Sequence, residues 1–470
     1  MLPITSTYKV HVGKSTVVFV SLICLLSLFI NNGIYAFSCL ACFILMLLHL
    51  WRYNQPGILV FAFIMQWVQV IAYVLWMNIL GYDINRYSDN AGYAIVLSCI
   101  GLWIMSIVIG LMINKLPKPD DEQLASQASK YDEKKVLILY VITTIFLSSI
   151  GFVFGIASGV TQFLMTISSI KWIFFMIYGY LVIIKKKNKW LFYLIMGYEF
   201  VSALYSFFSS FKEVIFFSLI IALTFVASIK LKQILYGLLS IAGLIIIVLT
   251  WTAIKGGYRE FLNKGSRQQV VAVERSQAIN KMSDQVNNLS WKKYEQAIFV
   301  ALYRIQYIYN FALSMDRVPS RIPYQNGAVW AENVTFVITP RVLFPDKKIY
   351  NASEKANKFT GKNYAGLKEG SSFSLCYFAD SYVDFGPIGM FIPLLFIAIF
   401  VGLIYRVFYK MYSLNILLRF AIINVCLYNF ISFEADGLFL FGRLLTTFLV
   451  YLALAKFVFP SLQKWMYKND

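Results

Sequence analysis

The chain has 470 residues, of which 59% are hydrophobic and only 14% charged. That balance leaves too little polar surface for a soluble domain of this size, so lipid is the solvent for most of it. The formal net charge of +19 would suit a nucleic acid, but no compact soluble domain remains to hold one, and the placement of the charge matters more than its sum.

Apolar runs recur that are long enough to cross a bilayer, and they are continuous rather than alternating, which favours helices over a β-barrel. The expected fold class is an all-α integral membrane protein, a polytopic bundle of about twelve transmembrane helices. Spans are expected near 16–31, 35–51, 57–80, 92–114, 136–157, 168–184, 190–208, 213–229, 233–254, 386–407, 415–432 and 439–458. The first follows Lys9 and Lys14 as a signal sequence would. It lacks a small-residue cleavage site and runs through Asn31-Asn32-Gly33 into the second span, so an uncleaved helical hairpin is expected.

With the N-terminus inside, the inner segments hold Lys9, Lys14, Arg52, five lysines over 115–135, four over 185–189, Lys230, Lys232, Arg406, Lys410, Lys464 and Lys468. The short outer segments hold only Arg86 and Lys212. This asymmetry orients the chain with both termini cytoplasmic. Three regions follow: a membrane bundle of about nine spans over 1–254, a large periplasmic or extracellular loop over 255–385, and about three further spans over 386–470.

Between Lys255 and Phe373 the loop carries 18 Lys and Arg against nine acids. Trp291 to Met315 reads as one amphipathic helix at the membrane surface, with Ile298, Ala301, Leu302, Ile305, Ile308 and Tyr309 sharing a face. A more polar helix is expected within Arg267 to Val286. Pro319, Pro323, Pro340 and Pro345 mark an irregular segment, and Ser371 to Val383 resumes as a short apolar helix.

Chemistry in the loop is narrowly bounded. The histidines, His11 and His49, lie in the N-terminal segment and a span, so base catalysis outside needs a carboxylate, a lysine or a tyrosine. No metal-ligand cluster, nucleotide-binding glycine loop or serine elbow is present, and neither metal nor cofactor is expected. Of six cysteines only Cys376 belongs to the loop, which excludes a disulfide within it. A transferase working there must receive its activated bond with the substrate.

The segment Ile338-Thr339-Pro340-Arg341-Val342-Leu343-Phe344-Pro345-Asp346-Lys347-Lys348 resembles the Pro-Arg, Phe-Pro and Lys segment of Wzy-type O-antigen polymerases. Gly370-Ser371-Ser372-Phe373-Ser374, followed by Ala379-Asp380-Ser381-Tyr382-Val383-Asp384-Phe385-Gly386-Pro387-Ile388-Gly389, is similar to their small-residue run and Ala-Glu-x-Tyr-x-Asn-Phe-Gly-x-x-Gly motif. Asp380 stands where the family often has Glu, and Asp384 where it often has Asn. The resemblance covers about fifty residues specifically and the rest of the chain through span count and loop position.

What the resemblance implies is a GT-C-like glycosyltransferase of the bacterial cytoplasmic membrane that polymerises undecaprenyl-pyrophosphate-linked oligosaccharide repeat units in surface polysaccharide biosynthesis. The growing glycan leaves its lipid pyrophosphate for a hydroxyl of the next lipid-linked unit. Membrane lipids, a flippase and a chain-length regulator are the implied partners. Arginine suits the pyrophosphate because its planar fork donates paired bonds and keeps its charge. Arg341, Arg304 and Arg259 are therefore the expected contacts, with Lys212 of Ser209-Ser210-Phe211-Lys212 resembling a basic segment of relatives. Headgroup contact, pairing with acids or snorkelling are the plainer readings of these cations.

Asp380 is the expected catalytic base; as a structural carboxylate it would instead be bonded to Arg341 or another loop arginine. Asp384 can bind substrate or cap the helix entering at Gly386-Pro387, and Tyr382 can pack or donate a hydrogen bond. Glu434 and Arg443, near Asp436, form a structural pair or line a sugar cavity. Glu199 and Arg419 fall within spans and need partners there. The principal rival is a lipid-linked oligosaccharide flippase or other twelve-span transporter, against which stand the large loop and the absence of an internal repeat. An O-antigen ligase would carry an outer-loop histidine, and a protein-mannosylating enzyme acids in the first outer loop.

Overall fold

The computed structural model describes residues 10–150, 161–204, 211–265, 272–339, 344, 346–347, 349–366 and 372–468. These residues form helices throughout, with one two-stranded parallel pairing of His11–Val12 with Ser228–Ile229. Each expected span overlaps a helix in its described residues; 151–157 and 205–208 of two of them lie outside those residues. Among the described residues seven are long and apolar enough to cross a membrane: Gly33–Leu50, Ile58–Leu80, Ala91–Asn114, Thr166–Lys185, Leu231–Leu262, Phe391–Tyr409 and Gly437–Phe457. The helices at Lys14–Leu26, Glu133–Ile150, Lys189–Leu204, Phe211–Thr224 and Ile416–Cys426 are shorter or more polar at their ends.

The expected hairpin is present. Asn32 turns the chain at φ 56°, and its side chain accepts from the Ile84 amide at 2.8 Å while donating to Asn78 Oδ1 at 2.7 Å. Within the bundle, apolar packing is supplemented by amides that spend both ends on hydrogen bonds, as burial away from water requires. Gln66 donates to the Phe430 carbonyl at 2.6 Å and accepts from the Tyr377 hydroxyl at 2.5 Å. Asn424 accepts from the Ile58 amide at 3.1 Å and donates to Tyr180 at 2.6 Å. Glu199 lies against Lys171 Nζ at 2.8 Å and accepts from the Tyr140 hydroxyl. Arg419 donates to the Tyr409 carbonyl and lies over the Tyr409 and Tyr412 rings.

The segments with most of the lysines meet at one end of the bundle. Asn54 bonds Thr224 and Asp121, Asn415 bonds Gln127, Lys185 Nζ lies 3.2 Å from Glu133, and Lys135 Nζ donates to the Tyr467 carbonyl. At the opposite end Asn31 and Asn32 meet Tyr82, and Asn90 meets Asp316 of the large loop.

Two expectations for the loop need correction, and the expected polar helix is present. The Trp291–Met315 helix is two, Trp291–Ile305 and Ile308–Arg317; Gln306 turns extended between them, and its Oε1 accepts from the Tyr309 amide at 3.0 Å, which starts the second helix. The polar helix spans Arg275–Asn287. The proline-marked segment holds two further helices, Ala328–Ile338 and Ala352–Thr360, before the one at Tyr377–Gly389.

Candidate functional site

Three helices of the loop region and one of the bundle converge on a buried ionic centre. Asp380 comes from the first turn of Tyr377–Gly389, Lys355 from Ala352–Thr360, Asn333 from Ala328–Ile338, and Asp436 from the N-cap of Gly437–Phe457. Lys355 Nζ lies 2.8 Å from Asp380 Oδ2 and 3.1 Å from Asp436 Oδ2. Asp380 Oδ2 also accepts from Asn333 Nδ2 at 3.1 Å and from the Gly437 amide at 2.8 Å. Asp436 caps its helix through the Phe439 amide at 3.0 Å and accepts from the Tyr350 hydroxyl. Both carboxylates have no exposed side-chain surface and Lys355 has 11%, so the lysine is the one charged member that touches the exterior.

Two buried carboxylates against one ammonium are an expensive arrangement, eased here by the amide dipoles at the Gly437–Phe457 helix start. Burial raises the Asp380 pKa; Lys355 opposes this, Asp436 adds to the rise, and the result is a carboxyl above its ordinary range. Burial pushes the Lys355 ammonium down, but the two carboxylates outweigh it and its pKa is raised. Burial and Asp436 hold the Tyr350 phenol well above its usual value. The close approach is possible because position 437 is glycine: a Cβ would meet Asn333 Nδ2 and the Trp330 ring, each at 2.7 Å.

Asp384 does not cap the helix that follows it, as one sequence reading had it. Its helix continues to Phe385, so the carboxylate points sideways and caps Ala328–Ile338 instead, accepting from the Val329 amide at 3.0 Å and the Trp330 amide at 2.8 Å. The chain then breaks at Gly386, where φ is 71° and a Cβ would press on the Tyr324 ring at 3.1 Å. Tyr382 is a strut, donating to the Val318 carbonyl at 3.2 Å and packed edge-on to Phe311 and Tyr324. Asp380, Tyr382 and Asp384 thus hold the loop helices together. In this arrangement an enclosed Asp380 holds Lys355, a structural role like the alternative the sequence left open, with a lysine as the cation. Arg341 lies outside the described residues.

A second group of charges gathers beside the first. Lys255 is within electrostatic reach of Arg304, Arg259 and Lys212, and Arg259 of Arg304. They come from Leu231–Leu262, Trp291–Ile305 and Phe211–Thr224, so three cations expected to contact an anion lie near one another, with Lys255 added. Lys212 and Arg304 are exposed, while Lys255 and Arg259 are half-buried. Tyr307 feels both Arg304 and Glu434, and Arg443 feels both Glu434 and Asp436, which links the cation group to the ionic centre. Glu434 is exposed; its amide donates to Gln69 Oε1 at 2.9 Å. Among the described residues it makes no ion pair with Arg443, whose guanidinium lies over the Phe439 ring. Arg443 too is exposed, so the pair lines an open surface rather than closing on itself.

Among the described residues no three His, Cys, Asp or Glu are grouped to hold a metal. A family model described as a domain of unknown function, DUF8712, matches residues 57–461. The chain belongs to the DUF8712 family. No curated protein and no solved structure matches it. The DUF8712 region contains both charge groups entire, and the first helix, Lys14–Leu26, lies before it.

Lys355 went unnoticed in the sequence, although a signal was there. Ala352, Ala356 and Phe359 make an apolar helical face, and Lys355 falls on it, three residues from Ala352 and four from Phe359. A lysine on the buried stripe of a short helix calls for a carboxylate partner.

Proposed function

We propose that this DUF8712 protein is a glycosyltransferase of the bacterial cytoplasmic membrane that polymerises lipid-diphosphate-linked oligosaccharide repeat units. In this reading the chain has twelve spans and a GT-C-like arrangement, and the lysine-rich end faces the cytoplasm. The carrying observation is the convergence of Lys212, Lys255, Arg259 and Arg304 beside the helix Leu231–Leu262, whose apolar stretch is wholly unburied. Cations at the mouth of a lipid-facing helix suit a ligand that is a diphosphate at one end and a polyprenyl chain at the other.

The bond between the anomeric carbon and the diphosphate oxygen breaks, and its electron pair leaves on the diphosphate, where the cations stabilise the charge. The acceptor hydroxyl oxygen bonds to that carbon, and its proton passes to a carboxylate. Glu434, exposed and within electrostatic reach of Tyr307 and Arg443, is the base in this scheme; Asp380 is a positioning residue that fixes Lys355 and the start of the Gly437–Phe457 helix. The flippase reading retains one specific support, the pair of a half-buried Lys171 with a buried Glu199 among the helices.

Purified protein given the lipid-diphosphate repeat unit alone should yield a ladder of longer glycans. Glu434→Gln should abolish the ladder with lipid binding retained, and Arg259→Ala with Arg304→Ala should weaken lipid binding. Transbilayer movement of the unit without chain growth would establish the transporter and sink the transferase.

A further inference from the structure

An aromatic surface lies at the bundle end opposite the lysine-rich one. Trp76, near the end of Ile58–Leu80, stacks on Tyr87 with ring centroids 5.6 Å apart and planes at 18°. Tyr303 and Tyr309 meet Trp76 edge-on at 5.8 and 6.5 Å, and Tyr82 meets Tyr87 at 6.1 Å. These rings come from two distant stretches of chain, 76–87 and 303–309, yet form one contiguous group, and Tyr82, Tyr87 and Tyr303 are 39–43% exposed. Polar groups are interleaved with them. Arg86 lies over Tyr82 and Lys362 over Tyr309, Asn90 bonds Asp316 at 2.9 Å, and Tyr364 bonds Asn310 at 2.6 Å.

We propose that this aromatic group is a binding platform for an oligosaccharide, the glycan portion of the substrate in the reading above, on which this proposal rests. Pyranose rings present flat faces of C–H bonds edged by hydroxyls, which suits ring faces bordered by amides and charges. Aromatics of an interfacial belt sit at the headgroup level; these pack on one another and lie in the chain beside Asp83, Arg86 and Asn90, the company of water. Position argues for the same occupant. Glu434 is bonded at the level of Gln69, and the helix continues from there to Leu80, a rise of about 17 Å. Trp76 lies on that rise with Tyr87 stacked on it, Tyr82 follows its end, and Tyr303 precedes Arg304 of the cation group in the chain. A glycan whose diphosphate rests at Arg304 would extend along the aromatic rings toward the rim.

The test measures binding of the free oligosaccharide repeat, released by mild acid from the lipid-linked unit, to full-length protein in nanodiscs by saturation-transfer NMR. Tyr87→Ala and Tyr303→Ala are expected to weaken binding by up to about tenfold each, the scale of one aromatic contact, while Tyr87→Phe keeps the ring and stays near wild type. Binding unchanged in the alanine variants, or no binding by the wild type, overturns the platform. The ladder assay reports separately on the transferase: a ladder without free-oligosaccharide binding removes the platform alone, and platform binding without a ladder removes the polymerase alone.

Discussion

Lys355 is one cation shared by two enclosed carboxylates, so its removal leaves charge with nowhere to go. Breaking a buried pair from one side costs about 3–5 kcal/mol, and that is the loss expected for Lys355→Met at neutral pH. The sign of the pH dependence follows from Asp380. Its pKa is raised in the fold, so its contribution to stability is complete below its ordinary pKa of about 3.9 and is lost as pH rises through the folded value. Without the ammonium that folded value rises further, and protonation relieves the stranded charge. Lys355 itself, with a raised pKa, stays charged throughout the acid and neutral range. The deficit of Lys355→Met should therefore be small near pH 4 and full near pH 8, read as unfolding of detergent-solubilised protein with temperature. A deficit that does not change across that window would contradict the shared-cation account. Of this centre, Asp380 was legible in the sequence through its motif and Asp436 through its position near a span. Their pairing was not, because it joins residues 25 and 81 positions from Lys355 by packing alone.

At the scale of elements, hydropathy located the helices well because a continuous apolar run in lipid has few alternatives to a helix. The loop was harder. Its helices are short and held by side chains from elsewhere, so their limits depend on contacts that no local pattern records. Ala328–Ile338 shows this: its own N-cap, Gly327, offers no side chain, and the cap is Asp384, more than fifty residues on. Trp330 adds a bond to Ser381 at 3.1 Å and Asn333 one to Asp380, so the helix is clamped to Tyr377–Gly389 at three points. Asp384→Ala removes two amide acceptors and a favourable charge at a helix start, at a cost of about 1–2 kcal/mol. Amide exchange should quicken at Val329, Trp330 and Ala331 and remain unchanged at Phe439 of the helix Gly437–Phe457. Equal protection in the variant and the wild type would show that the cap is dispensable.

Across the whole molecule, the two bundle ends differ as charge counting expected. Lys185, Lys135 and Tyr467 are tied together at one end, and Asn32, Tyr82, Asp316 and Asn90 at the other. The orientation expected from this has the lysine-rich end inside, because lysine-rich segments resist translocation while long loops cross largely regardless of charge. The chain offers a clean means of reading it. All six cysteines are free and buried, so the unaltered protein should react little with a membrane-impermeant maleimide. Asn85→Cys, in the turn after Ile58–Leu80, should label in intact cells. Lys187→Cys, in the lysine run after Ile170–Lys185, should label only once the membrane is opened. The reverse pattern would put the aromatic platform and the cation group in the cytoplasm, where nucleotide sugars are available, and a lipid-diphosphate donor would lose its reason. Labelling of both in intact cells would mean that the described helices do not separate two compartments. Because orientation decides which donors can reach Arg259 and Arg304, this measurement comes before any assay of transfer.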